Sequence, residues 1–195
     1  MNNFTIYTNE YLRKNIKAYY HTKYTGYKNQ DNPDFLNDLK NTFNSYSEKK
    51  LLNAIEKLNN ILINDLSTFS RDLTICIVPR AKAENNYKTN QLLFKKSIQN
   101  IISNLGFIDG SNGIIRHTDT KTTHLSRSGY GGNGSMPYPN ITKDTCHISN
   151  DLIGKDILLI DDIYTSDVNI DEDVIQALID KGANSVIFYS IGKAS

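Results

Sequence analysis

The chain has little cysteine, little net charge and no long apolar run. Two cysteines in 195 residues cannot build a disulfide framework, and Cys76 lies inside the apolar run "TICIV", where a buried thiol is the ordinary state. No apolar stretch approaches the roughly 20 residues needed to span a bilayer. The opening "MNNFTIYTNEYLRKN" lacks the basic-then-apolar pattern of a signal peptide. These absences set the expectation of a cytoplasmic protein with no membrane partner. A formal net charge of +1 gives no reason in bulk charge to invoke nucleic acid. Also missing is the GxxxxGK(S/T) phosphate loop, since Gly154-Lys155 runs into Asp156. His117, His124, Cys146 and His147 have spacings that match no closed zinc site.

What is present is unevenly spread. Residues 1–30 hold Arg13, Lys14, Lys17, Lys23 and Lys28 against Glu10 alone, whereas residues 151–195 carry nine acids against Lys155, Lys181 and Lys193. Six of the twelve tyrosines (7, 11, 19, 20, 24 and 27) also fall in the basic front. Aromatics amid basic residues suit single-stranded nucleic acid, but half-buried surface packing is the favoured reading. One core is expected at this length, with residues 1–70 as a partly helical, Tyr-rich extension or hood and residues 71–195 as the core domain.

Hydrophobic periodicity places the elements. Leu51, Leu52, Ile55, Leu58, Ile61, Leu62 and Leu66 recur at three- and four-residue steps and predict an amphipathic helix. "LTICIVPR" (73–80) reads as a strand closed by proline, and "NQLLFKKSIQNIISNLG" (90–106) as a helix stopped by Gly106. Residues 116–150 break the rhythm with a polar stretch holding four glycines between 129 and 134, which reads as a flexible lid or binding loop. "DILLI" then predicts a fully buried strand, "DEDVIQALIDKGA" a helix ended by Gly182, and "SVIFYSIG" another strand. The series argues an α/β fold, a Rossmann-like parallel sheet covered by helices on both faces.

"GKDILLIDDIYTSDVNIDEDVIQAL" (154–178) carries the chemistry. In open parallel sheets ligands sit beyond the carboxyl ends of the strands, and Asp161 and Asp162 fall at that edge. Adjacent carboxylates repel and need donors or a cation to compensate them; ribose hydroxyls and a divalent metal are natural compensators. The following "TSDVN" offers hydroxyls and backbone N–H groups at a helix start, a suitable phosphate cradle.

Four apolar residues, two acids, two further residues and Thr-Ser resemble the signature of the type I phosphoribosyltransferases, which bind 5-phosphoribosyl 1-pyrophosphate (PRPP). Within them the chain looks most like the competence-protein-F (ComF), amidophosphoribosyltransferase-like branch. The matching pieces are "IVPRAKAENNYKTNQLL", "RHTDTKTTHL", "GKDILLIDDIYTS" and "ALIDKGANSVIFYSIGK", about residues 73–193. The resemblance implies that Asp161 and Asp162 hold the ribose hydroxyls and a Mg²⁺ ion that arrives with PRPP. Thr165, Ser166, Asp167, Val168 and Asn169 would surround the 5-phosphate, and Arg80, Ala81 and Lys82 the pyrophosphate. Lys121 and Arg127 would act as catalytic groups swinging over the leaving group. The signature has glycine where Asp167 stands and threonine where Asn169 stands. Asp171, Glu172 and Asp173 suit a helix N-terminus but would crowd a phosphate there.

The implied activity is a glycosyl transfer: phosphoribose passes from PRPP to a nitrogen nucleophile, an unidentified base or amine, with release of pyrophosphate. A homodimer is compatible with it. The alternative is a non-catalytic binding or regulatory protein on the same fold, used in DNA uptake or processing.

Overall fold

The computed structural model describes residues 1–122, 131–132 and 134–194. Its centre is a six-stranded sheet in the order β1-β2-β8-β7-β3-β4. The strands are β1 (Asn2–Ile6), β2 (Ile16–Tyr24), β3 (Thr74–Ile77), β4 (Ile108–Asp109), β7 (Asp156–Tyr164) and β8 (Ser185–Ala194). All neighbours are parallel except β1, which pairs antiparallel with β2. A short ribbon of β5 (Ile114–Arg116) and β6 (Cys146–Ile148) stands apart from it.

The sheet is therefore mixed, where the sequence predicts a parallel one, and its first two strands come from the Tyr-rich front. β2, "IKAYYHTKY", buries Ile16 and Ala18 on one face, while Tyr19 and Tyr24 pack on the other. Two-sided burial, with lysines interleaved, hides the period of two that identifies a half-buried strand. Four of the six tyrosines, Tyr11, Tyr19, Tyr20 and Tyr24, are half-buried, and Tyr7 and Tyr27 are exposed. Tyr19 meets Phe69 edge-on at 5.3 Å between ring centres, a packing geometry.

Both faces are covered. Leu158 and Ile160 point to the layer of α1 (Phe35–Lys40), α2 (Glu48–Leu66) and α3 (Leu93–Leu105), packing with Leu39, Leu58, Leu62 and Ile98. Ile157 and Leu159 point the other way, to Val174, Ile175 and Leu178 of α5 (Ile170–Lys181). All four strand residues are fully buried, and burying each such side chain contributes about 1.5–3 kcal/mol. This explains why "DILLI" shows no alternation. Helix α5 stops at Gly182, whose φ of 103° is a left-handed cap that a β-carbon would strain. The stretch 116–150 opens on the end of β5 and closes on α4 (Ile141–Thr145) and β6.

Candidate functional site

Strand β3 is flanked by β4 on one side and β7 on the other. From β3 the chain passes through α3 to β4, and from β7 through α5 to β8, with the two helices on opposite faces. The connections diverge at the carboxyl ends of β3 and β7, and such a switch point opens a crevice between two loops. One wall is the loop after β3, starting at Val78, and the other is the 165–169 loop after β7.

The loop after β7 carries Thr165, Ser166, Asp167, Val168 and Asn169. Its one internal backbone bond runs from the Val168 N–H to the Thr165 carbonyl, 3.1 Å. The N–H groups of Ser166, Asp167, Asn169 and Ile170 have no acceptor among the described residues. Asn169 is left-handed, with φ 59°, and no side chain caps α5. Open amides at an uncapped helix N-terminus are a ready anion cradle. Asn169 Oδ1 accepts from Asn9 Nδ2 at 2.8 Å, which ties the cradle to the β1–β2 turn. The Asp167 carboxylate is exposed and accepts from the Ser166 hydroxyl at 3.3 Å.

Asp161 and Asp162 are neighbours in sequence but continue the alternation of β7, so their side chains leave opposite faces of the sheet. Asp162 turns to the α1 layer and pairs with Lys40 Nζ at 3.1 Å. Burial pulls the Lys40 ammonium down, but the Asp162 and Asp161 carboxylates outweigh it and hold the lysine above its usual value. Asp161 turns to α5 and shares a hydrogen bond with Asp171. Burial, then the charge of Asp162, pushes Asp161 up to about 7. Burial and the charge of Asp161 lift Asp171 well above the carboxylate range. Two carboxyls sharing one proton is the chemistry expected of that pair.

The other acids of the first turn of α5 are also turned inward. Glu172 accepts from the Tyr164 hydroxyl at 2.7 Å. Asp173 accepts the backbone N–H groups of Asn140 at 2.6 Å and Thr142 at 2.7 Å, capping α4. All three are buried. These bonds engage Asp173 and one oxygen of Glu172, while Asp171 Oδ1 and Glu172 Oε2 are buried without a hydrogen-bond partner among the described residues.

The loop after β3 is fastened. Arg116 Nε donates to the Arg80 carbonyl at 2.7 Å, and the Ala81 carbonyl accepts the Thr120 N–H at 2.7 Å and its hydroxyl at 3.0 Å. Asp119 Oδ1 accepts the Ala83 N–H at 2.7 Å. The Arg80 guanidinium lies over the Tyr87 ring and donates to the Lys40 and Gln91 carbonyls. Lys82 is exposed at the rim, and its N–H donates to the Tyr87 hydroxyl. Lys121 is half-buried, held through its N–H to the Ser135 carbonyl at 3.0 Å. Arg127 lies outside the described residues.

The structure thus brings the "PRAK" and "RHTDT" pieces together and sets them across from the "TSDVN" loop. Sequence reasoning missed Lys40, Asn9 and Arg116, and the pairing of Asp171 with Asp161. Alternation along β7 could have signalled that Asp161 and Asp162 diverge, whereas nothing local points to Lys40. Among the described residues no group of three or more His, Cys, Asp or Glu is arranged to hold a metal ion, and no helix is long and apolar enough to cross a membrane. No family model, curated protein or solved structure matches the chain.

Proposed function

We propose that the chain binds a 5-phosphorylated ribose in the β3–β7 crevice and acts as a PRPP-dependent phosphoribosyltransferase on the type I fold. The observation that supports this most is the run of unpartnered amides at positions 166, 167, 169 and 170, directly beyond a strand that ends in two acids at the switch point. The 5-phosphate sits on those amides and the Thr165 and Ser166 hydroxyls. Asp161 and Asp162 accept the ribose hydroxyls, one from each side of the strand end. The C1–O bond to pyrophosphate breaks as the C1–N bond forms, pyrophosphate leaves with the electron pair, and the attacking nitrogen gives up its proton. Lys82 and Lys121 stabilise the departing charge, and Arg80, held by carbonyls, shapes the wall beside it. Because Asp161 and Asp162 diverge, at most one of them would hold a magnesium ion arriving with PRPP. When bound, it neutralises charge on the leaving group.

A non-catalytic binding module is the second reading, favoured by a specific observation: Asp162 already has Lys40, and Asp161 already has Asp171. Calorimetric titration of PRPP with and without Mg²⁺ tests the binding; no heat in either condition sinks both readings. Release of pyrophosphate on addition of ammonia, an amino compound or a nucleobase separates the enzyme from the module.

A further inference from the structure

Beneath the loop that follows β3 lies a cavity of about 50 Å³ lined by that loop, the start of α3 and β5. Its apolar wall is formed by Val78, Pro79, Leu92, Phe94 and Ile114, and Arg116 faces into it. Arg116 is 3% exposed. Its guanidinium donates to two neutral oxygens, the Arg80 carbonyl and the Thr145 hydroxyl, and pairs with no carboxylate among the described residues.

Other charges around the cavity do not supply the missing anion. Glu84 is the acid on its wall, and both its oxygens are taken by Lys95, at 2.7 and 2.8 Å. Asp119, three residues from Arg116, is turned to the Ala83 N–H and to Asn86. Arg80 and Lys82 line the same cavity and also lack an acidic partner among the described residues. A buried guanidinium without a counter-charge is costly, and an anion that enters with good geometry offsets that cost.

We infer that this cavity is a binding site for a small monocarboxylate, whose carboxylate takes the free edge of Arg116 and whose short hydrocarbon body lies against Val78, Pro79, Leu92 and Ile114. The wall chooses between oxyanions. Arg80, Lys82, Lys95 and Arg116 give the lining a side that takes an oxyanion, and Val78, Pro79, Leu92 and Ile114 give it a side for a hydrocarbon body, which a carboxylic acid carries and inorganic phosphate lacks. The volume suits a short-chain acid. Such a ligand closes over Arg80 and Ile114, so it stiffens the wall of the switch-point crevice. The site contains neither Asp161 nor Asp162 and does not rest on the phosphoribosyl reading.

The test is an amide-resolved NMR titration of the full chain with propionate, propionamide and inorganic phosphate. The expected result is saturable propionate binding with shifts at the amides of residues 80–82, 94 and 114–116. Propionamide should bind about tenfold more weakly or worse, because the charge-assisted fork is lost, and phosphate more weakly than propionate, because it brings no hydrocarbon body to the apolar side. Arg116→Lys keeps the charge without the fork and should also weaken propionate about tenfold. If that variant folds poorly, the comparison of propionate with propionamide on the unaltered protein decides. Absence of saturation, equal binding of propionamide, tighter binding of phosphate, or shifts confined to residues 165–170 would overturn the assignment.

Discussion

Two loops face each other at the carboxyl edge of the sheet, and they are built on opposite principles. The loop after β3 is held at nearly every residue: its carbonyls at Arg80 and Ala81 take Arg116 and Thr120, its Ala83 N–H goes to Asp119, and Arg80 itself is stacked and bonded. The loop after β7 has one backbone bond of its own and four amides without an acceptor among the described residues, yet it stands on a first helical turn in which Glu172 and Asp173 are hydrogen-bonded. Unmade hydrogen bonds cost little at a solvent-facing loop and are what an incoming anion can use. The difference separates a fastened wall from a loop whose amides are open to an incoming anion.

The largest expected effect probes the turn beneath the open loop. Asp161, at an ordinary value of 3.8, is raised to about 7, and Asp171 is raised well above the usual carboxylate range. The folded state therefore keeps a proton that the unfolded chain loses above pH 4. The contribution of this pair is full below about pH 4 and is lost as pH rises towards 7, by at most about 1.4 kcal/mol per pH unit for each retained proton. In Asp171→Asn that loss should shrink. Denaturant melts at pH 4 and pH 7 should show the wild type falling relative to the variant, and a wild type that gains on it would refute the shared proton.

Next is Asp173→Ala, which strips the buried Thr142 N–H and the part-buried Asn140 N–H of their acceptor and should cost about 3 kcal/mol in a urea melt. A loss under 1 kcal/mol, roughly that of an exposed charge, would mean the turn is not fastened as described. Smaller again, Asp119→Ala should cost about 1 kcal/mol and speed hydrogen exchange at Ala83. If exchange there is unchanged, the β3 loop is held by something else. The smallest effect belongs to the open loop, where Asp167→Ala should leave stability within about 0.5 kcal/mol. A substantial loss would show that Asp167 holds the loop, erasing the contrast.

The elements that could be read from sequence are those with one-sided or fully apolar burial. α2, α3, α5, β3, β7 and β8 all announce themselves, through i, i+3, i+4 spacing or through unbroken apolar runs. β2 does not, because its tyrosines and lysines serve both faces. For the site, "IDDIYTSDVN" was legible as strand, acids and loop, and its place at the carboxyl edge followed from the βαβ pattern. The partners of its acids were not. Lys40 reaches Asp162 from α1 across the chain, and Asp171 looked like an N-terminal dipole residue until the twist of β7 into α5 put it beside Asp161. Long-range pairing of charges depends on how layers stack, which local periodicity does not encode.

The proposed phosphate site on the loop after β7 is tested most directly by an amide-resolved NMR titration with PRPP and Mg²⁺. The expected result is saturable shifts at the amides of Ser166, Asp167, Asn169 and Ile170, lost in Thr165→Val with Ser166→Ala. Saturation with those four amides unmoved would contradict it.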